Sequence, residues 1–238
     1  KGFSELAAFQ AGRSLMGIRR SGSSQPAESQ TTQYVSGNYF SMFGIGPYAG
    51  RVFSAQDDQN GAAPVAVMSY PTWQQKYGSD PSVIGATFTF NGNPVNVIGI
   101  TPPGFYGDRL ERVPAFWIPL EAGRVIGQNP TLLDFPTSDW LDLIGRVEPG
   151  ADPKTIEAQL QVQLKQWLLS PIAKLDAGER TLVAKQTLHL SPGGAGVRPL
   201  AGRARSPEVA RRRPRDGGVD RDRGRGRGGA LGGGGGPV

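Results

Sequence analysis

An α+β fold is what this sequence predicts, and three observations carry the prediction. "TFTFNGNPVNV" (Thr87–Val97) alternates around Asn91-Gly92, a pair suited to a two-residue turn with positive φ at both positions. "DPKTIEAQLQVQLKQWLL" (Asp152–Leu169) sets Ile156, Leu160, Leu164, Trp167 and Leu168 at helical spacing behind a capping Asp152 and Pro153. The remaining apolar runs, such as "PVAVM" and "VIGI", are strand-sized, and none approaches the roughly 18 residues of a membrane span.

Taken in order, "FSELAAFQ" (Phe3–Gln10) reads as a short helix end or a strand, and "GRSLMGIRR" as a strand. "SGSSQPAESQ" (Ser21–Gln30) is a polar turn region, and "TTQYVS" a strand. "GNYFSMFG" is a helical turn closed by Gly44. "PVAVMSY" (Pro64–Tyr70) has the pattern of a buried strand and runs into "PTWQQKYG". There Pro71 suits the first helical position, Trp73 and Tyr77 share a face, and Gly78 suits the stop. In the second arm of the hairpin, Pro94 predicts an edge position or a bulge. "AFWIPL" (Ala115–Leu120) and "DWLDLIGRVEPG" (Asp139–Gly150) add strands, Pro171 ends the long helix, and "RTLVAKQTLHLSP" (Arg180–Pro192) reads as a final strand. Asp139–Pro192 is thus expected to be one β-α-β unit.

Charge divides the chain. Arg198–Val238 holds eleven arginines against four acids, whereas Lys1–Val197 has fifteen basic and sixteen acidic residues. The body is therefore nearly neutral, and nucleic-acid binding along one of its faces is not indicated. The absence of cysteine excludes disulfides, thiolate nucleophiles and cysteine metal sites. The tail includes "RDRGRGRGG", which has the look of an RNA-binding segment, yet it uses only nine residue types, all encodable by GC-rich codons. It is expected to be disordered and to be GC-rich DNA read in a shifted frame.

No catalytic, cofactor-binding or metal-binding residue is assigned. Gly44, Gly46 and Gly50 lack the spacing of a dinucleotide fingerprint or a P-loop, and Pro47 removes an amide, so the cluster is expected only to turn a corner. Asp57-Asp58 lacks the alternate oxygen ligands of a calcium loop and reads as a solvated turn or cap. His189, the sole histidine, reads as a packed or half-exposed strand residue. No serine sits in a G-x-S-x-G elbow. Tyr48, Phe105, Tyr106 and Trp117 flank Gly/Pro turns, where they either fill the core or anchor a partner.

"QYVSGNYFSMFGIGPYAGRVFSAQDD", "PVAVMSYPTWQQKYGSDPSVIGATFTFNGNPVNVIGITPPGF", "FWIPL", "LIGRVEPGADPKTIEAQL" and "LSPGGAGV" follow one another in an order that resembles the MacB-like periplasmic core domain of bacterial ABC permeases of the FtsX/MacB type. The resemblance implies a porter-like β-α-β part (1–33 and 138–197) with an inserted β-rich subdomain (34–137), followed by the tail (198–238). It further implies a non-enzymatic domain outside the cytoplasmic membrane, needing no cofactor. An ABC ATPase subunit would act through membrane helices, and a permease homodimer partner or an envelope adaptor would complete the assembly. The chain opens Lys-Gly, as a fragment would, and has arginine and glycine where the family has an apolar helix. Two other readings stand beside this one: a stand-alone envelope ligand-binding module, and RNA binding through the tail.

Overall fold

The computed structural model describes residues 2–109, 113–127, 132–134 and 140–193. The tail, with the disorder and frame change expected of it, lies outside the described residues, as does Asp139. Nine strands occur among the described residues: β1 (Phe3–Gln10), β2 (Ser14–Arg20), β3 (Glu28–Val35), β4 (Ala49–Gly50), β5 (Val65–Met68), β6 (Thr87–Phe90), β7 (Asn93–Ile100), β8 (Phe116–Pro119) and β9 (Leu141–Val147). The α-helices are α1 (Tyr39–Met42), α2 (Tyr70–Tyr77), α3 (Gly123–Ile126), α4 (Pro153–Leu169) and α5 (Ala177–Leu182).

The strands run in the order β2-β6-β7-β5-β8-β3, and β3 pairs back onto β2, so six strands close on themselves. Closure removes the free edges an open sheet would leave. All six strands contribute to one apolar cluster, among them Ile18, Tyr34, Met68, Phe88, Phe90, Val97 and Phe116. β5 and β8 are buried along their whole length, and their alternate residues feed two cores. Ala66, Met68, Phe116 and Ile118 belong to the first. Val65, Val67 and Trp117 join Phe9, Val35, Tyr39, Phe40 and Phe53 in the second. β1 leaves the ring through the pair Phe9–Val35 and carries β9 along nearly its whole length.

Local signals explain most elements. Asn91 and Gly92 take φ of 49° and 89°, closing the hairpin as its sequence requires. Ser69 caps α2, and Gly78 ends it in the left-handed region. β7 is not an edge strand, because β6 lies on one side of it and β5 on the other. Pro94 is tolerated because β5 pairing begins only at Asn96, and the bulge lies at Ile98, which the β5–β7 register skips.

The glycine cluster turns a corner by close approach. Gly50 lies opposite Gly99. A Cβ at Gly99 would sit 2.1 Å from the Arg51 carbonyl oxygen, and one at Gly50, where φ is 72°, would sit 2.3 Å from that of Ile98. Gly46 faces open space.

One expected strand is absent. Within Arg180–Pro192 the chain forms the end of α5 and a 3₁₀ turn (Val183–Lys185), then runs extended without joining a sheet. The cause is a reciprocal cap: Asp176 accepts from the Glu179 amide and Glu179 from the Asp176 amide, which starts a helix just where the strand was expected. The unit at Asp139–Pro192 thus keeps its first strand and its helix. Of the apolar face of α4, Ile156 is buried, Leu160, Leu164 and Leu168 are half-buried, and Trp167 is exposed.

Gly99→Ala is expected to lower stability by about 2–3 kcal/mol through overpacking against backbone. Gly46→Ala should change it by less than about 0.5 kcal/mol. Urea-unfolding midpoints compare the two, and equal effects would contradict the close-approach account.

Candidate functional site

The chain after β7 is turned at Gly104 and Gly107, both at positive φ. Phe105 packs there against Phe40 and Trp117, with ring centroids 5.8 and 5.4 Å apart. This brings Asp108, whose side chain has no exposed surface, onto the second core. A buried carboxylate needs opposite charge and donors, and Asp108 gathers both. Its Oδ1 accepts from Gln33 Nε2 at 2.7 Å, Arg13 Nη2 at 3.0 Å and the Tyr39 hydroxyl at 3.4 Å. Arg109 Nε lies 3.4 Å from Oδ2. The Arg109 guanidinium also donates to the Ala11 carbonyl at 2.7 Å and meets Asp142 at 3.4 Å.

These groups come from distant places: Arg13 from the β1–β2 turn, Gln33 from β3, Tyr39 from α1 and Asp142 from β9. Burial, reinforced by the Asp108 charge, raises the Tyr39 phenol well above its ordinary value, so it stays neutral and donates. Arg13 Nε, Gln33 Oε1 and Trp117 Nε1 are buried without a hydrogen-bond partner. The cluster thus holds more polar atoms than it pairs. It has no nucleophile beside a base. What the arrangement can do is hold the β1–β9 arm against the closed ring, with spare groups to exchange partners.

The Asp57-Asp58 pair lies in a turn, as expected, but its carboxylates are bonded rather than solvated. Asp57 takes both Arg51 nitrogens at 2.7 and 2.8 Å, and that ion pair, against some burial, pulls its carboxyl down to about 2. Asp58 is half-buried and accepts from the Gly37 and Glu121 amides at 2.9 and 2.8 Å, tying two loops together. Burial pushes its carboxyl up. Among the described residues no three of His, Asp or Glu gather to hold a metal. His189 is largely exposed, 3.7 Å from Glu157, and outside any strand. Of the four turn aromatics, Tyr48 and Tyr106 are exposed, Phe105 is packed at the second core, and Trp117 is wholly buried within it.

A groove of about 370 Å³ lies between the start of β2 and α3, lined by Gln10, Leu15, Met16, Tyr34, Leu120 and Trp140 among others. Burial raises the Tyr34 phenol to about 12. Sequence reasoning singled out neither this groove nor Asp108. A lone acid in a turn-rich loop carries no signal, and only its position between Gly107 and Arg109 hinted at a structured turn.

The family described as the MacB-like periplasmic core domain matches residues 4–163. The macrolide export ATP-binding/permease protein MacB of Escherichia coli O157:H7 is 30% identical over 180 residues, 68% of this chain and 26% of the relative. The protein of that name from Escherichia coli K12 is 31% identical over 129 residues, 53% of this chain and 18% of the relative. The chain thus spans about a quarter or less of these relatives. Among solved structures, the periplasmic region of MacB from Actinobacillus actinomycetemcomitans aligns with a TM-score of 0.51 at 14% identity, covering 70% of this chain and 68% of the other. The extracellular domain of the noncanonic ABC-type transporter YknZ from Gram-positive bacteria aligns at 0.50 and 16%, covering 70% and 76%. At such identities the likeness is one of fold, and it agrees with the expected α+β, porter-like class.

Asp108→Ala leaves Arg13, and in part Arg109, as buried charge without its partner, and is expected to cost about 3–5 kcal/mol. Asp108→Asn keeps an acceptor for Gln33 and Arg13 and should cost less. Urea unfolding of both variants checks this, and an alanine variant as stable as the parent would contradict the assignment.

Proposed function

This chain belongs to the MacB-like periplasmic core domain family, and we infer that it serves as a mechanical lever of an ABC-type permease. The ATPase would sit on a separate chain or region and act through membrane helices. The domain would turn that motion into efflux or into work on an envelope partner, against a second permease copy or an adaptor. In this reading catalysis belongs to the ATPase, and the polar residues described here tie segments of the domain together.

The observation that carries this reading is the position of the Asp108 junction. Under the proposed division into an outer part (1–33 and 138–197) and an inserted subdomain (34–137), which the closed ring crosses because β2 and β3 pair with β6 and β8, Arg13, Gln33 and Asp142 come from the first. Tyr39, Asp108 and Arg109 come from the second. A lever needs two arrangements close in energy, and a buried network with spare donors and acceptors can supply them by exchanging partners. The groove beside Tyr34 favours a second reading, a stand-alone envelope ligand-binding module, because its described lining carries no ionisable side chain but that phenol.

The cysteine-free chain permits a direct test. Spin labels at Leu143→Cys on β9 and Gln74→Cys on α2, both exposed positions, report the distance between arm and ring. Two distance populations are expected, with Asp108→Asn changing their ratio. A single distance, unchanged by that substitution, would remove the lever reading.

A further inference from the structure

Residues 186–190 belong to no helix or strand and enter alongside α4 with Gln186 in extended backbone, and helix side chains take the place of a neighbouring strand. Gln161 Oε1 accepts from the Leu188 amide at 2.6 Å, and its Nε2 donates to the Gln186 carbonyl at 2.8 Å. Those two groups flank Thr187, and they are the pair that one residue of an adjacent parallel strand would engage. The primary amide of Gln161 thus stands in for the N–H and C=O of one strand residue. One turn earlier, Glu157 Oε2 accepts from the Leu190 amide at 2.6 Å. One turn later, Lys165 reaches the Ala184 carbonyl at 3.4 Å.

The spacing accounts for the match. Glu157, Gln161 and Lys165 recur every four residues and so share one helix face. Four helical residues rise about 6 Å, and two extended residues span about 6.6 Å. Alternate amides of the segment therefore meet successive rungs of the helix. Leu188 and Leu190 are bonded in this way, while the amides of Thr187 and His189 have no hydrogen bond among the described residues.

We propose that residues 186–190 form a detachable strap, an extended segment held to α4 by the Glu157–Gln161 ladder and free to leave the helix while the sheet stays paired. Its holding groups end flexible side chains, and no strand ladder ties it to the nine-stranded sheet. Load arriving from beyond residue 193 would meet the Leu190 rung first and the Leu188 rung next. The strap's use in transmitting force rests on the lever reading; its detachment does not.

Residue-resolved amide exchange on the full chain tests the strap. Leu188 and Leu190 are expected to be protected, and Thr187 and His189 to exchange freely. Gln161→Ala should speed exchange at Leu188 about fivefold, the effect of losing one ordinary hydrogen bond, and leave the β1–β9 amides unchanged. Glu157→Gln, which keeps an acceptor, should preserve protection at Leu190, and Glu157→Ala should remove it. The proposal is overturned if the four amides exchange alike, or if Gln161→Ala accelerates the β1–β9 amides by the same factor as Leu188. Neither outcome bears on the arm-to-ring distances, so failure of the strap and failure of the lever are distinguishable.

Discussion

A carboxylate with no exposed surface is the constraint around which this domain is arranged. Asp108 can lie buried at the second core because Arg13, Gln33 and Tyr39 converge on it, with Arg109 alongside. That requirement fixes the β1–β2 turn against the loop after β7. It also determines where the arm of β1 and β9 meets the closed ring. Apolar contacts at Phe9 and Trp117 bury area without preferring a direction; the charge cluster adds directional bonds between the same segments.

The two halves of the molecule are held with different strength. Inside the ring, the apolar cluster is drawn from all six strands, and the Gly50–Gly99 crossing leaves no room for a single added carbon. Within α4 only Ile156 is buried, joined by Ala173 and Val183 in the turns beside it, and polar side chains hold the final segment. Cooperative opening follows such differences in burial and bonding. The proposed lever reading assigns the well-buried ring to keep its shape and the lightly attached helix and strap to receive motion.

Much of this was legible in the residues, and the reasons differ by element. Asn91-Gly92, Ser69 with Gly78, and Asp152 with Pro153 are local signals, each complete within a few residues. The closure of β3 onto β2 has no such signature, because register between strands depends on partners across the whole ring. The strand expected over Arg180–Pro192 does not form, because the Asp176–Glu179 cap just before it starts α5 there. Asp57 and Asp58 looked solvated in sequence because their partners, Arg51, Gly37 and Glu121, are brought in by folding. Asp108 was invisible for the same reason, since four chain segments make its environment.

The central claim is that charge couples the arm to the ring, and the pair Arg13–Asp108 carries that coupling most directly. A double-mutant cycle with Arg13→Ala, Asp108→Ala and the combination, read by urea unfolding, isolates it. The account predicts an interaction energy of about 1–3 kcal/mol, the combined variant losing less than the two single losses added together. Strict additivity, within about 0.3–0.5 kcal/mol, would contradict it.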